Sequence, residues 1–326
     1  MRFEEYLLDA VGARGGELLA LVADAERAPA AERTAAAARG RGLQVELVIT
    51  REDYRREADM PGEAIAAVDA ADVALLFVAF PRIQFGGHSR YRQRATSRGA
   101  RIGYVTHDLE EVDGGALRRV AEDTRRVAEL LGEASSASLT TSAGTRLELA
   151  LGGRPGIALT NELAFPGGWG ALPDFFEAAV APLEGSAAGV VVLDGMTLVT
   201  GIVDEPIELT VERGRIRDLR GGEADALRRY LQAAGENADA VCELGVGTNW
   251  IAPFRLSGTF VDKRIAGTVH LGLGDNRGLG GVSRAATHTD VLVRNARLEL
   301  DGRAVVADGG LRLPERESRS YREGMS

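Results

Sequence analysis

The chain has 326 residues, 45% of them hydrophobic and only 5% aromatic, with a formal net charge of −9 and an isoelectric point near 5.2. That is enough apolar material for two domains with aliphatic cores. The field of such an acidic chain repels phosphate backbones and anionic lipid, and few aromatics remain for stacking bases, so neither nucleic acid nor membrane is an expected partner.

One cysteine, Cys242, excludes an intrachain disulfide. The start, MRFEEYLLDAVGARGGE, carries acids where a secretory leader carries bases, and no apolar run approaches the roughly 20 residues that span a bilayer. The expected compartment is the cytoplasm.

In chain order, residues 3–39 read as helical, on the spacing of Leu7, Leu8, Val11, Leu18, Leu19, Leu21 and Val22. GLQVELVIT (42–50) reads as a strand, PGEAIAAVDAAD (61–72) as a helix opened by proline, and VALLFVAF (73–80) as a buried strand. A polar helix around 89–97, the strand ARIGYVT (100–106) and a helix over 114–134 follow. Strands alternating with helices predict a parallel sheet covered on both faces, so residues 1–135 are expected to form an open, Rossmann-like α/β domain. No GxGxxG motif stands between a strand and a helix there, which argues against a dinucleotide.

The small-residue stretch ASSASLTTSAG (134–144) marks a boundary. Beyond it short strand candidates dominate: 145–153, 187–195, 206–222, 262–274 and 290–302. LTVERGRIRDL is a hairpin signal with Arg213-Gly214 as its turn. One helix, GEADALRRYLQAAG (222–235), interrupts. Residues 136–326 are expected to form an α+β domain rich in antiparallel strands.

Of the four histidines, two fall in this second part. His288 and Asp290 stand two apart at the start of a strand, hence on one face, and can reach one ion together. His270 lies in a glycine-rich apolar strand, GTVHLGLGDN, where a buried imidazole needs a partner; a metal or a backbone carbonyl would serve. Glu243 in CELGVGTN is a lone carboxylate in a similar setting, and a divalent cation removes the cost of burying it. Glu177 in LPDFFEAAVAP has the same character, with Asp174 and Glu184 as nearby alternatives. Imidazole and carboxylate together suit zinc, cobalt, manganese or iron(II).

Several segments now acquire a common meaning. SAGTRLEL, the stretch PGGWGALPDFFEAAVAPLEGSAAGVVVLDG, GTVHLGLGDN and HTD resemble the motifs of the leucyl aminopeptidases of the aminopeptidase T and aminopeptidase S type, and of their relatives, the 2,5-dihydroxypyridine 5,6-dioxygenases. The resemblance covers most of the chain. For the peptidases it implies a dinuclear site (two zinc, cobalt or manganese ions) on Glu177, Glu243, His270, His288 and Asp290, and a homodimer. Where the peptidases carry a tyrosine after the first of these histidines, this chain has Arg277. For the dioxygenases it implies one iron(II) on two histidines and a carboxylate, which His270 or Glu243 would supply with His288 and Asp290.

Two activities compete. The first reading is a metal-dependent hydrolase of peptide or amide bonds, aminopeptidase-like, with a metal-activated water as nucleophile. In it Glu243 also orients the water, Arg277 holds a substrate carboxylate, and His88, after a strand, contacts the ligand from the first domain. The second is a mononuclear iron(II) dioxygenase opening a hydroxylated heteroaromatic ring, with His88 or His107 as acid or base. A third possibility is a metal-dependent binding protein, or a hydrolase on a natural-product scaffold, suggested by a composition rich in Ala, Arg and Gly and poor in Lys.

Overall fold

The computed structural model describes residues 1–50, 60–77, 90–252 and 255–313. The chain begins α1 (Phe3–Ala10), β1 (Leu18–Asp24), α2 (Ala28–Gly40), β2 (Gln44–Thr50), α3 (Gly62–Ala70), β3 (Val73–Phe77), α4 (Arg90–Ser97), β4 (Arg101–Val105) and α5 (Gly114–Glu133). It continues through β5 (Ser136–Thr140), β6 (Arg146–Ala150), β7 (Ile157–Leu159), β8 (Trp169–Leu172), β9 (Glu177–Val180), β10 (Ala188–Leu193), β11 (Met196–Thr197) and β12 (Gly201–Ile202). The last stretch holds β13 (Ile207–Glu212), β14 (Arg215–Arg220), α6 (Ala224–Ala234), β15 (Val241–Gly247), β16 (Val269–Gly274), β17 (His288–Val293), β18 (Arg297–Leu300), β19 (Arg303–Ala307) and β20 (Gly310–Leu311).

The mixed α/β class predicted from the sequence is what the strands build. Five parallel strands in the order β2-β1-β3-β4-β8 form the first sheet. Alternate residues of its central strands feed two cores, as a parallel sheet buried on both faces requires. Leu19, Leu21 and Leu75 pack with α1 and α2, while Ala20, Val22 and Leu76 pack with α3 and α4. The expected helix over 3–39 is therefore corrected: Leu18–Asp24 is a central strand between two helices. The fifth strand, β8, comes from beyond residue 135 and pairs with β4.

The antiparallel part comprises an eight-stranded sheet, β14-β13-β10-β6-β5-β18-β19-β20, and a seven-stranded sheet, β12-β11-β17-β16-β15-β9-β7. The expected hairpin joins β13 to β14, with Arg213 and Gly214 at φ of 50° and 72°. Two successive left-handed residues make the turn whose twist matches the strands.

Helix α5 ties the parts together. Asp113 caps it by accepting from the Ala116 N–H at 3.0 Å. Leu117 and Val120 then pack into the core of the parallel sheet, and Val127 and Leu131 into that of the antiparallel sheets. Between them the Thr124 hydroxyl lies 2.7 Å from that of Thr248, at the end of β15.

Among the described residues no helix is long and apolar enough to cross a membrane.

Candidate metal centre

Four adjacent strands of the seven-stranded sheet, β9, β15, β16 and β17, carry the acidic and imidazole side chains singled out above. The alternation of each strand explains why all of them share a face. Leu244 and Val246 of β15, Leu271 of β16 and Val291 and Val293 of β17 point into the large aliphatic core. The intervening positions, Glu243, His270, His288 and Asp290, point the other way. The register then sets a glycine across from each ligand: Gly272 between Glu243 and Asp290, Gly245 opposite His270, Gly247 opposite Glu177 and Gly274 opposite His288. With no side chain on those positions, the long acidic and imidazole groups converge over bare backbone.

Two overlapping groups result. Glu177, Glu243 and His270 form an inner one, and Glu243, His288 and Asp290 an outer one; in each, the ligand atoms lie within 4.8 Å of one another. Glu243 belongs to both. Its Oε1 is 3.3 Å from His270 Nε2, and its Oε2 is 2.8 Å from His288 Nε2. His270 Nε2 is 3.6 Å from Glu177 Oε1, and His288 Nε2 is 3.3 Å from Asp290 Oδ1. The inner group is sealed, whereas the His288 side chain is 22% exposed and forms the rim. The His288 Nδ1–H donates to the carbonyl of Asp275 at 2.7 Å, which leaves the Nε2 lone pair facing the carboxylates.

The structure thus brings together all five residues named from the sequence as metal ligands. Arg277 stands apart, its guanidinium paired with Asp275 at 2.7 Å and half exposed, so it reaches the centre only through the Asp275 carbonyl that orients His288. His88 lies outside the described residues.

Sequence reasoning missed Lys263. It sits in the short 3-10 helix Phe260–Arg264, read from sequence as the start of a strand. Its ammonium is 3.3 Å from Glu177 Oε2 and 3.1 Å from Asp290 Oδ2. Asp262 fixes the turn that delivers it: this buried carboxylate accepts from the N–H groups of Ser257 and Gly258, the latter at 2.7 Å.

Burial works against the charges of Asp290, Glu243 and His270, and the neighbours decide the outcome. Burial raises the Asp290 carboxyl, but Lys263 and His288 outweigh it and bring the pKa to about 2. Glu243 is likewise held well below the usual range, with Lys263 and the two imidazoles overcoming its burial. Burial lowers His270, yet Glu177, helped by Glu243 and opposed by Lys263, pushes it up to about 9. Without an ion the imidazoles therefore take protons to balance the carboxylates.

This gives a signature for metal removal. A group whose pKa is raised on folding stabilises the fold fully below its unfolded value, near 6.5, and loses that contribution as pH climbs through the folded value. Chelator-treated protein should lose stability between about pH 6.5 and 9, by roughly 3 kcal/mol from His270. Metal-loaded protein, in which the ion's charge replaces the protons and leaves the imidazoles neutral, should be flat over that window. Thermal melts at several pH values, with and without chelator, read the difference. Identical profiles would show that no ion replaces the protons.

The donor chemistry fits a hard-to-borderline divalent ion. Three carboxylates and two imidazoles converge, and the buried Asp290 Oδ1 has no hydrogen-bond partner among the described residues. Fold and centre together define a class, α/β proteins with a buried carboxylate–imidazole cluster whose donors fit a divalent cation. The profile of the family described as NicX, 2,5-dihydroxypyridine 5,6-dioxygenase, matches residues 13–313. The 2,5-dihydroxypyridine 5,6-dioxygenase of Pseudomonas putida KT2440 is 30% identical over 249 residues, 72% of this chain and 70% of that protein. The chain belongs to this family. Among solved structures, 2,5-dihydroxypyridine dioxygenase from the same organism superposes with a TM-score of 0.74 at 24% identity, covering 96% of each chain. Wild-type AmpT from Thermus thermophilus does so with 0.71 at 17%, covering 95% of this chain and 98% of its own. These two likenesses establish the shared fold.

Family membership overturns the first functional reading. A hydrolase of peptide or amide bonds, whether called an aminopeptidase or a metalloprotease, is replaced by the dioxygenase alternative. The likeness to AmpT, at 17% identity, carries the fold and no activity.

Proposed function

We propose that this chain is a metal-dependent dioxygenase that opens the ring of a hydroxylated nitrogen heteroaromatic, with 2,5-dihydroxypyridine as the first substrate to try. The observation that carries the reading is the family match over residues 13–313. Glu243, His288 and Asp290 would hold the ion, taken as iron(II), which when bound supplies the site where oxygen and an electron-rich ring are brought together. This outer group offers one imidazole and two carboxylates, so it is one charge more negative than a two-histidine, one-carboxylate set. The Lys263 ammonium beside Asp290 offsets that charge.

A second polar cluster supports a hydroxylated substrate. Asp174 opens the loop that leads to Glu177, and Arg264, next to Lys263, lies 3.5 Å from its Oδ2. His107 faces Asp174 with Nε2 at 3.8 Å from Oδ1. Burial, reinforced by Arg264 and opposed by Asp174, holds the His107 pKa below its ordinary value, so the ring is neutral. The Thr106 hydroxyl donates to the Leu172 carbonyl at 3.0 Å and so accepts from His107 Nδ1–H at 2.9 Å. That leaves the Nε2 lone pair facing a carboxylate oxygen that has no hydrogen-bond partner among the described residues. Two acceptors at this separation bracket a place for a shared donor, such as a ring hydroxyl, and His107 is placed to take its proton.

The test is oxygen uptake by iron(II)-loaded protein with 2,5-dihydroxypyridine, followed alongside the loss of the substrate's ultraviolet absorbance. One oxygen molecule consumed per ring opened is expected. His107→Gln should lower kcat by about 100-fold or more with iron affinity unchanged. Iron-loaded protein that consumes no oxygen with this or other hydroxylated pyridines would end the proposal.

A further inference from the structure

Lys263 is the sole lysine of the chain; every other residue in its count of lysines and arginines is an arginine. It lies not on the surface but between the two ligand groups, 4% exposed. There it takes one carboxylate from each, Glu177 from the inner group and Asp290 from the outer. Arginine, with its planar fork of donors, is the common partner of a buried carboxylate. An ammonium is a compact point charge, and of the two side chains it is the closer mimic of a metal ion.

We propose that Lys263 stands in for a second cation, so that the centre holds one divalent ion, on Glu243, His288 and Asp290, while Glu177 and His270 surround it without ligating. The inference deepens the dioxygenase reading by fixing the metal count, and it rests on that reading only for the ion's identity.

Two independent observations point the same way. The first is charge. The three buried carboxylates are balanced by one ammonium and one divalent ion, with both imidazoles neutral. Two divalent ions beside the same ammonium leave two positive charges in excess among side chains that, His288 apart, are buried, and uncompensated buried charge is strongly unfavourable. The second is the hydrogen bonding of the two imidazoles. A ligating histidine needs an acceptor for its other ring N–H. His288 has one in the Asp275 carbonyl. Among the described residues His270 has none: its Nδ1 is buried without a partner. Were His270 Nε2 to ligate, Nδ1 would carry a buried N–H with no acceptor, the rarer and costlier orphan. With the proton on Nε2 instead, His270 donates toward Glu243 Oε1 at 3.3 Å and steadies the shared ligand.

The experiment is a count. Full-length protein freed of metal is dialysed to equilibrium against manganese(II), and bound metal per chain is read by elemental analysis, with circular dichroism confirming the fold. Wild type should bind one ion per chain and Lys263→Met two. A wild type that binds two, or a folded Lys263→Met that still binds one, overturns the proposal. If Lys263→Met does not fold, Glu177→Gln decides. It should keep one ion with affinity within about tenfold of wild type, whereas a loss of more than about 100-fold, as expected for a true ligand, overturns the assignment. No step involves oxygen or a pyridine, so failure of the dioxygenase reading leaves the metal count standing, and the reverse holds as well.

Discussion

Asp290→Asn is expected to lower divalent-metal affinity by more than about 100-fold while the chain still folds. The change is nearly isosteric and removes one full negative charge. Oδ1 of Asp290 is the oxygen turned toward His288 Nε2, at 3.3 Å, and Oδ2 is the one held by Lys263 at 3.1 Å. An amide there offers the ion a weak neutral oxygen, and its NH2 group repels either the ion or the ammonium. Losing a group that merely orients a ligand costs about 10- to 100-fold in affinity, so loss of a ligand should exceed that range. Lys263 keeps Glu177 as a partner, which limits the damage to the apoprotein. Calorimetric titration with manganese(II), with a melting curve on the same sample, separates the two effects. An Asp290→Asn protein that folds and binds manganese as wild type does would remove Asp290 from the centre.

Much of this centre was legible because strand periodicity does the arranging. Two residues at i and i+2 share a face whatever the tertiary context, so His288 and Asp290 were paired from sequence alone. His270 and Glu243 stood out because a polar group in an apolar, glycine-rich run has to be satisfied somewhere. Lys263 was missed for a physical reason: a lysine beside an aspartate reads as a solvated pair, and only the fold shows the turn around Asp262 carrying it inward. Its uniqueness in the chain was the available signal. The run Leu18–Val22 was misread because a short continuous apolar stretch has no period of its own to separate helix from strand. Pairing of β8 with β4 joins positions distant in sequence, and no local pattern encodes it. His107 was noticed but not explained, since its meaning depends on Thr106 and Asp174 meeting across two parts of the chain.

The glycines opposite the ligands yield the second large effect. Gly245 stands across the ladder from His270, and a Cβ there would lie 2.1 Å from the imidazole Cε1 and Nε2. The ring cannot yield easily, because it is fully buried beneath the sheet's neighbours. Gly272 is equally confined: its Cβ would fall 2.6 Å from Glu243 Cβ and 2.9 Å from His288 Cε1. Gly245→Ala and Gly272→Ala should each destabilise the fold by roughly 1–3 kcal/mol, the ordinary range for overpacking a filled interior. For a chain of this length that lowers Tm by at least a few degrees. Gly278→Ala is the control, since a Cβ at that position meets nothing within 4 Å among the described residues and its φ is not left-handed. The two sites should also differ in metal binding. Gly272→Ala presses on Glu243 and His288, both in the outer group, and should weaken manganese binding strongly. Gly245→Ala presses on His270, which on the one-ion arrangement only steadies Glu243, and should weaken it less. Equal and severe loss of metal in both variants, with Gly278→Ala unchanged, would place His270 among the ligands after all.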